Sequence, residues 1–309
     1  MPASPAPQRP LPAPIASRLR ARSVVELVDE GYAALRAHPA LLLGTAALFL
    51  VPVTAVVALI GQGDPTPGLV TDGSWWAGVV SMLGFSLATA LVGVPLARAV
   101  ALQAAGVPIT WRAVYAAGAK PWLVVIGAWA ALAPLRFVSA LVFFVPYVAV
   151  TAVMIPLSAV IALEGGGVGT SLRRAWRLGW RGFGRALGVL SLQQLTGWFV
   201  VFVLATVPAI LVTAAPDAWQ RPLANLGQLA VGLLVTPPAA WTAAAFYLDE
   251  RVRREGFDLW RALDAWEQTG PPGEGRRPVP YPPVPAAYPS VPAPYPSVSP
   301  PAASAGHGR

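Results

Sequence analysis

Between Pro121 and Leu163 the chain runs for 43 residues with a single charged side chain, Arg136. An α-helix rises about 1.5 Å per residue, so roughly 20 residues cross the ~30 Å hydrocarbon layer of a bilayer. This run is about twice that length. Shorter companions are Ala40–Ile60, Trp75–Ala97, Ala186 to about Leu211, and about Leu226 to Leu248. Two crossings in the long run, with a tight turn between about Pro134 and Pro146, give an all-α bundle of six transmembrane helices. The spans lie at about 40–60, 75–97, 121–141, 144–163, 186–211 and 226–248.

Composition closes the soluble alternative. Charged residues make up 12% of the chain, about half the usual share of a soluble domain, too few to cover a water-facing surface. There is no cysteine, which excludes disulfides, thiol catalysis and cysteine-bound metal. His38 and His307 are far apart, so a histidine metal site or catalytic triad has almost nothing to work with. The first apolar run, 21 residues long, exceeds a signal-peptide core and is expected to remain as the first span.

The cations set the expected threading. Five lie before the first span (Arg9, Arg18, Arg20, Arg22, Arg36), three between spans two and three (Arg98, Arg112, Lys120), and five between spans four and five (Arg173, Arg174, Arg177, Arg181, Arg185). Seven more follow the last span, leaving only Arg136 and Arg221 for the other side. Cytoplasmic loops retain Lys and Arg. The expectation is a multi-pass plasma-membrane protein with both termini cytoplasmic, and short outer loops holding Asp64, Asp72 and Asp217. The formal net charge of +8 then reflects loop placement, and nucleic acid is not expected as a partner.

Each cytoplasmic approach reads as an amphipathic helix. Ser23 and Glu26 form an S-x-x-E capping box. Val25, Val28, Tyr32 and Leu35 follow at helical spacing. Such a helix either lies on the inner membrane surface or packs on the underside of the bundle. Three stretches also echo one another: YAALRAHPALLLG (32–44), YAAGAKPWLVVIG (115–127) and WRLGWRGFGRALG (176–188). An aromatic (Tyr32, Tyr115, Trp176) precedes a glycine (Gly44, Gly127, Gly188) by 12 residues, with Arg36, Lys120 or Arg181 between. Either three parallel hairpin repeats or shared membrane-entry chemistry accounts for this.

The stretches SVVELVDEGYAALRAHPALLLG, EGGGVGTSLRRAWRLGWRGFGRALGVL and TAAAFYLDERVRREGFDLWRAL carry a family resemblance. Over roughly residues 20–265 the chain resembles a group of actinobacterial membrane proteins similar to the membrane domain of some glycerophosphodiester phosphodiesterases. The resemblance implies a six-helix membrane domain. It does not imply the phosphodiesterase reaction, which belongs to a separate soluble barrel.

No cofactor motif survives inspection. Gly165-Gly166-Gly167-Val168-Gly169-Thr170-Ser171 lacks the lysine of a phosphate loop and the final glycine of a dinucleotide fold. The expectation is a chain turn with Thr170 or Ser171 capping the next helix, and Glu164 either solvated or paired with Arg173. The five arginines 173, 174, 177, 181 and 185 anchor topology or contact anionic lipid. Arg136, about 16 residues into span three, either snorkels outward or faces a cavity or an acidic partner, Asp217 or Asp72. Gln193 and Gln194 complete the intramembrane polar set. No constellation supports catalysis.

Beyond the last span, DERVRREGFDLWRALDAW is expected to form a charged amphipathic helix interrupted at Gly256. The flanks read as disordered arms: a Pro/Ala-rich segment over 1–22 and a Pro/Tyr/Ser-rich tail over 269–309, around a membrane domain over 23–268. The tail contains YPPVPAA, YPSVPAP and YPSVSPP and is expected to be polyproline-like, passive or a docking site for a protein partner. Two functions stay open: a non-enzymatic scaffold or accessory subunit, or a transporter or lipid-handling protein with a cavity between kinked helices. A polar cavity reaching mid-membrane depth favours the second; a solid apolar bundle favours the first.

Overall fold

A computed structural model describes residues 22–60, 75–116, 118–142, 144–214 and 216–256. The Pro-rich tail, the N-terminal arm before Arg22, and Asp64 and Asp72 lie outside these residues. The described chain is all α: α1 (Val24–Ala37), α2 (Pro39–Ile60), α3 (Trp75–Ala104), α4 (Trp111–Tyr115), α5 (Lys120–Val142), α6 (Phe144–Val153), α7 (Leu157–Glu164), α8 (Val168–Arg181), α9 (Phe183–Ala214) and α10 (Asp217–Glu255). Six helical segments are long and apolar enough to cross a bilayer, with α6 and α7 together forming one.

The expected spans are present with shifted ends. α9 and α10 extend beyond 186–211 and 226–248. DERVRRE, expected as a separate helix, continues α10 without a break until Gly256, whose φ of 59° ends it in the left-handed region. The fourth span breaks at Met154–Pro156, where proline supplies no N–H to the helix. The helix after the glycine run begins at Val168, with Gly167 as its cap. Thr170 instead donates to the Gly167 carbonyl at 2.8 Å.

α1 packs on the bundle, settling the two readings of its approach. Its buried residues are Leu27, Val28, Gly31 and Ala34, while Val25 is 66% exposed. The capping box forms: Glu26 N–H donates to Ser23 Oγ at 3.2 Å, and Ser23 N–H to Glu26 Oε2 at 2.8 Å. Gly31 is required by close approach, since a β-carbon there would sit 2.5 Å from the Pro238 carbonyl oxygen of α10.

The hairpins make cyclic contacts. Each consists of a short leading helix, a first span and a second span: α1-α2-α3, α4-α5-α6/α7 and α8-α9-α10. The second span of each packs against the first span of the next: α3 on α5, α6 on α9, α10 on α2. It also meets the next leading helix: α3 with α4, α6 and α7 with α8, α10 with α1. The three echoed glycines follow the same order. A β-carbon on Gly44 would lie 2.7 Å from the Trp111 ring, on Gly127 2.9 Å from Val168, and on Gly188 3.5 Å from Val24. Those three partners are the first residues of the leading helices of the following hairpins. The ring closes through them, as three parallel repeats require. A second echo lies in VPLARAVALQ (94–103) and IPLSAVIALE (155–164), on the second spans of hairpins one and two.

The second spans α3, α7 and α10 touch one another and hold the core, with Trp241, Phe246, Leu96 and Ile161 fully buried. The first spans lie outside and show apolar side chains outward, such as Leu48, Leu59, Leu195, Phe199 and Phe202. Apolar patches of this extent are not stable in water. Lipid supplies no hydrophobic drive between helices, so close contact falls to small residues. Gly93 against Ser158 is one such contact, where Ser158 Oγ also donates to the Ala90 carbonyl at 3.3 Å.

Candidate functional site

Arg136, Gln193 and Gln194, separated by more than fifty residues of chain, are brought to the wall of one cavity of about 680 Å³. Its walls come from all three second spans and from α5 and α9. Along α5, Arg136 lies 16 residues from Lys120, or about 24 Å at helical rise. The cavity therefore occupies the middle of the bundle and the part away from the arginine-rich end. Ser191, Gln194 and Trp198 line it yet remain exposed, so it is an open groove and not a sealed void.

The local geometry is polar on an apolar background. Arg136 Nη1 donates to Ser86 Oγ at 3.5 Å, and Trp129 Nε1 donates to the same oxygen at 3.3 Å. Arg136 Nε and Thr151 Oγ1 are buried without a hydrogen-bond partner among the described residues. Gln193 Nε2 donates to the Ala239 carbonyl at 3.0 Å, which fixes its amide between α9 and α10. Phe85, Leu132, Met154, Leu190 and Ala243 supply apolar wall. Half-buried Arg136 thus faces the cavity. Asp72 lies outside the described residues, as does the Asp217 side chain.

The second concentration of polar groups is at the arginine-rich end. Asp249 and Glu250, adjacent on α10, have side chains only 1% accessible. Arg185 of α9 donates to Asp249 Oδ2 at 2.5 Å and pairs with Glu250. Arg253 and Arg254, one helical turn on, reach Asp249 at 2.9 Å and Glu250 at 2.5 Å. The Arg22 backbone N–H donates to Asp249 Oδ1 at 2.6 Å, and its carbonyl accepts from Arg185 at 3.0 Å. Arg22 also pairs with Glu30 of α1. Burial pushes the Glu30 carboxyl above the usual glutamate range, and Arg22 opposes that rise.

A neighbouring network joins α7, α8 and α10. Arg174 Nε donates to Glu164 Oε1 at 3.0 Å and pairs with Glu255, while Tyr247 Oη donates to Glu164 at 2.8 Å. Glu164 is therefore held by Arg174, not Arg173. Of the five predicted arginines, 174 and 185 bind carboxylates inside the fold. Arg173, Arg177 and Arg181 are exposed, beside the stacked rings of Trp176 and Trp180, 5.8 Å apart.

Sequence reasoning missed Asp249, Glu250 and Thr151. The first two carried a legible signal, the D-E-x-x-R-R spacing that pairs each acid with an arginine four residues on. Thr151 carried none. Comparison of the chain with family models, curated proteins and solved structures finds no match.

Proposed function

We propose that this multi-pass protein of the plasma membrane holds an amphipathic molecule in the groove between its hairpins, as a lipid-handling protein or transporter. The open cavity at mid-membrane depth carries this reading. Its volume is in the range of small-molecule sites, ~300–1,000 Å³. Its wall mixes apolar side chains with a few convergent polar groups, as such sites do. The scaffold reading is the weaker one, because a solid apolar bundle is its natural structure.

Both termini lie in the cytoplasm, on the strength of the cation asymmetry. Arg173, Arg177 and Arg181, with Trp176 and Trp180, then rest against anionic headgroups of the inner leaflet.

Filling the groove tests this. Ala243 lines it from α10 and is partly exposed, so Ala243→Trp places an indole in the cavity. Full-length protein purified from membranes is expected to carry tightly held lipid or metabolite by native mass spectrometry, and Ala243→Trp to lose it. Equal occupancy in the folded variant would return the scaffold reading.

A further inference from the structure

The cavity wall carries more hydrogen-bond donors than acceptors. Arg136 Nε and Thr151 Oγ1 are closed off from water with no partner among the described residues. Ser86 Oγ already receives both Trp129 and Arg136 Nη1. Among the described lining residues there is no Asp or Glu. A guanidinium whose Nε is shut off from water without a partner is unfavourable. Its planar fork matches the oxygens of carboxylate or phosphate. Among the described lining residues no carboxylate stands ready to receive an ammonium group on the ligand.

Depth narrows the choice further. Arg136 lies about 24 Å from the start of α5, close to the headgroup level of the leaflet opposite the arginine-rich end. Arg136 Nε and Thr151 Oγ1, both unpartnered among the described residues and lining the same cavity from α5 and α6, suit a group with several acceptor oxygens. Beside them the groove is apolar and open. We infer that the cavity takes an anionic phospholipid whose phosphodiester has no compensating cation, with the phosphate at Arg136 and Thr151 and the acyl chains leaving through the open side. This deepens the cavity reading above and rests on it.

The test uses full-length protein in detergent micelles, offered phosphatidylglycerol and phosphatidylcholine of identical acyl chains, with bound lipid read by native mass spectrometry. Wild type is expected to retain phosphatidylglycerol at least tenfold over phosphatidylcholine. Arg136→Met removes that preference, and Thr151→Val lowers it several-fold in a protein that keeps its charge. The comparison is repeated in protein whose Arg173, Arg177 and Arg181 are all alanine, so that the exposed cations contribute nothing, and loss of the Arg136-dependent preference in that background would overturn the groove assignment.

Equal retention of both lipids, still blocked by Ala243→Trp, would overturn the anion assignment and leave the cavity reading standing. Retention of both lipids that Ala243→Trp does not alter would sink the cavity reading itself. Displacement of phosphatidylglycerol by equimolar oleate would refute a phosphate ligand, and displacement by soluble glycerol phosphate would refute a lipid.

Discussion

Arg185→Met should be among the most damaging single changes at the arginine-rich end. Its guanidinium is the only one reaching both Asp249 and Glu250 among the described pairs, and it also holds the Arg22 carbonyl. Methionine keeps much of the side-chain volume and removes the charge. Breaking a buried pair by deleting one partner costs about 3–5 kcal/mol. Here Arg253 and Arg254 stay in place, but they are 38% and 36% accessible and each touches one acid. Exposure of that order weakens a pair through solvent screening, so we expect a net loss of about 2–3 kcal/mol. At ~2–4 °C per kcal/mol for a domain of this size, the midpoint of thermal unfolding in detergent falls by about 4–12 °C. Adding Glu250→Gln to Arg185→Met should recover part of this, because one stranded charge is gone. Arg177→Met, at an exposed position without a carboxylate partner among the described residues, should stay within about 0.5 kcal/mol of wild type. An Arg185→Met midpoint equal to that of Arg177→Met would refute the claim that the buried acids depend on Arg185.

Gly31→Ala should cost about 1–3 kcal/mol by overpacking against the α10 backbone, whereas Gly188→Ala, with ordinary 3.5 Å contact to Val24, should be nearly neutral; thermal melts of the two variants check this. Glu30 holds its proton more tightly folded than unfolded, so its contribution to stability is full below the ordinary glutamate range and is lost as pH rises through the raised value. Glu30→Gln should flatten that segment of the stability–pH curve, measured by melts across acidic buffers. Because the chain has no cysteine, Arg177→Cys provides a unique label site. An impermeant maleimide is expected to react only after the inner face is opened, and labelling in intact cells would reverse the topology.

The six spans were legible in the sequence because hydrocarbon offers the backbone no partners. A long apolar run must therefore close its own hydrogen bonds as a helix, wherever its neighbours sit. The capping box of α1 is equally local, four residues deciding one helix end. Packing decided the rest. Arg174 and Arg173 are chemically identical but lie about 100° apart around α8, and the face that α8 packs on its neighbours brings Arg174 to Glu164 and leaves Arg173 exposed. Arg22 meets Asp249 across 227 positions, a separation no periodicity encodes. The echo at Gly44, Gly127 and Gly188 was visible as letters; that each glycine receives the next hairpin's leading helix is a property of the closed ring. The groove likewise belongs to no single segment. Five spans line it, one of them broken at Met154–Pro156, and that arrangement alone turns Arg136 from a residue with two readings into part of a wall.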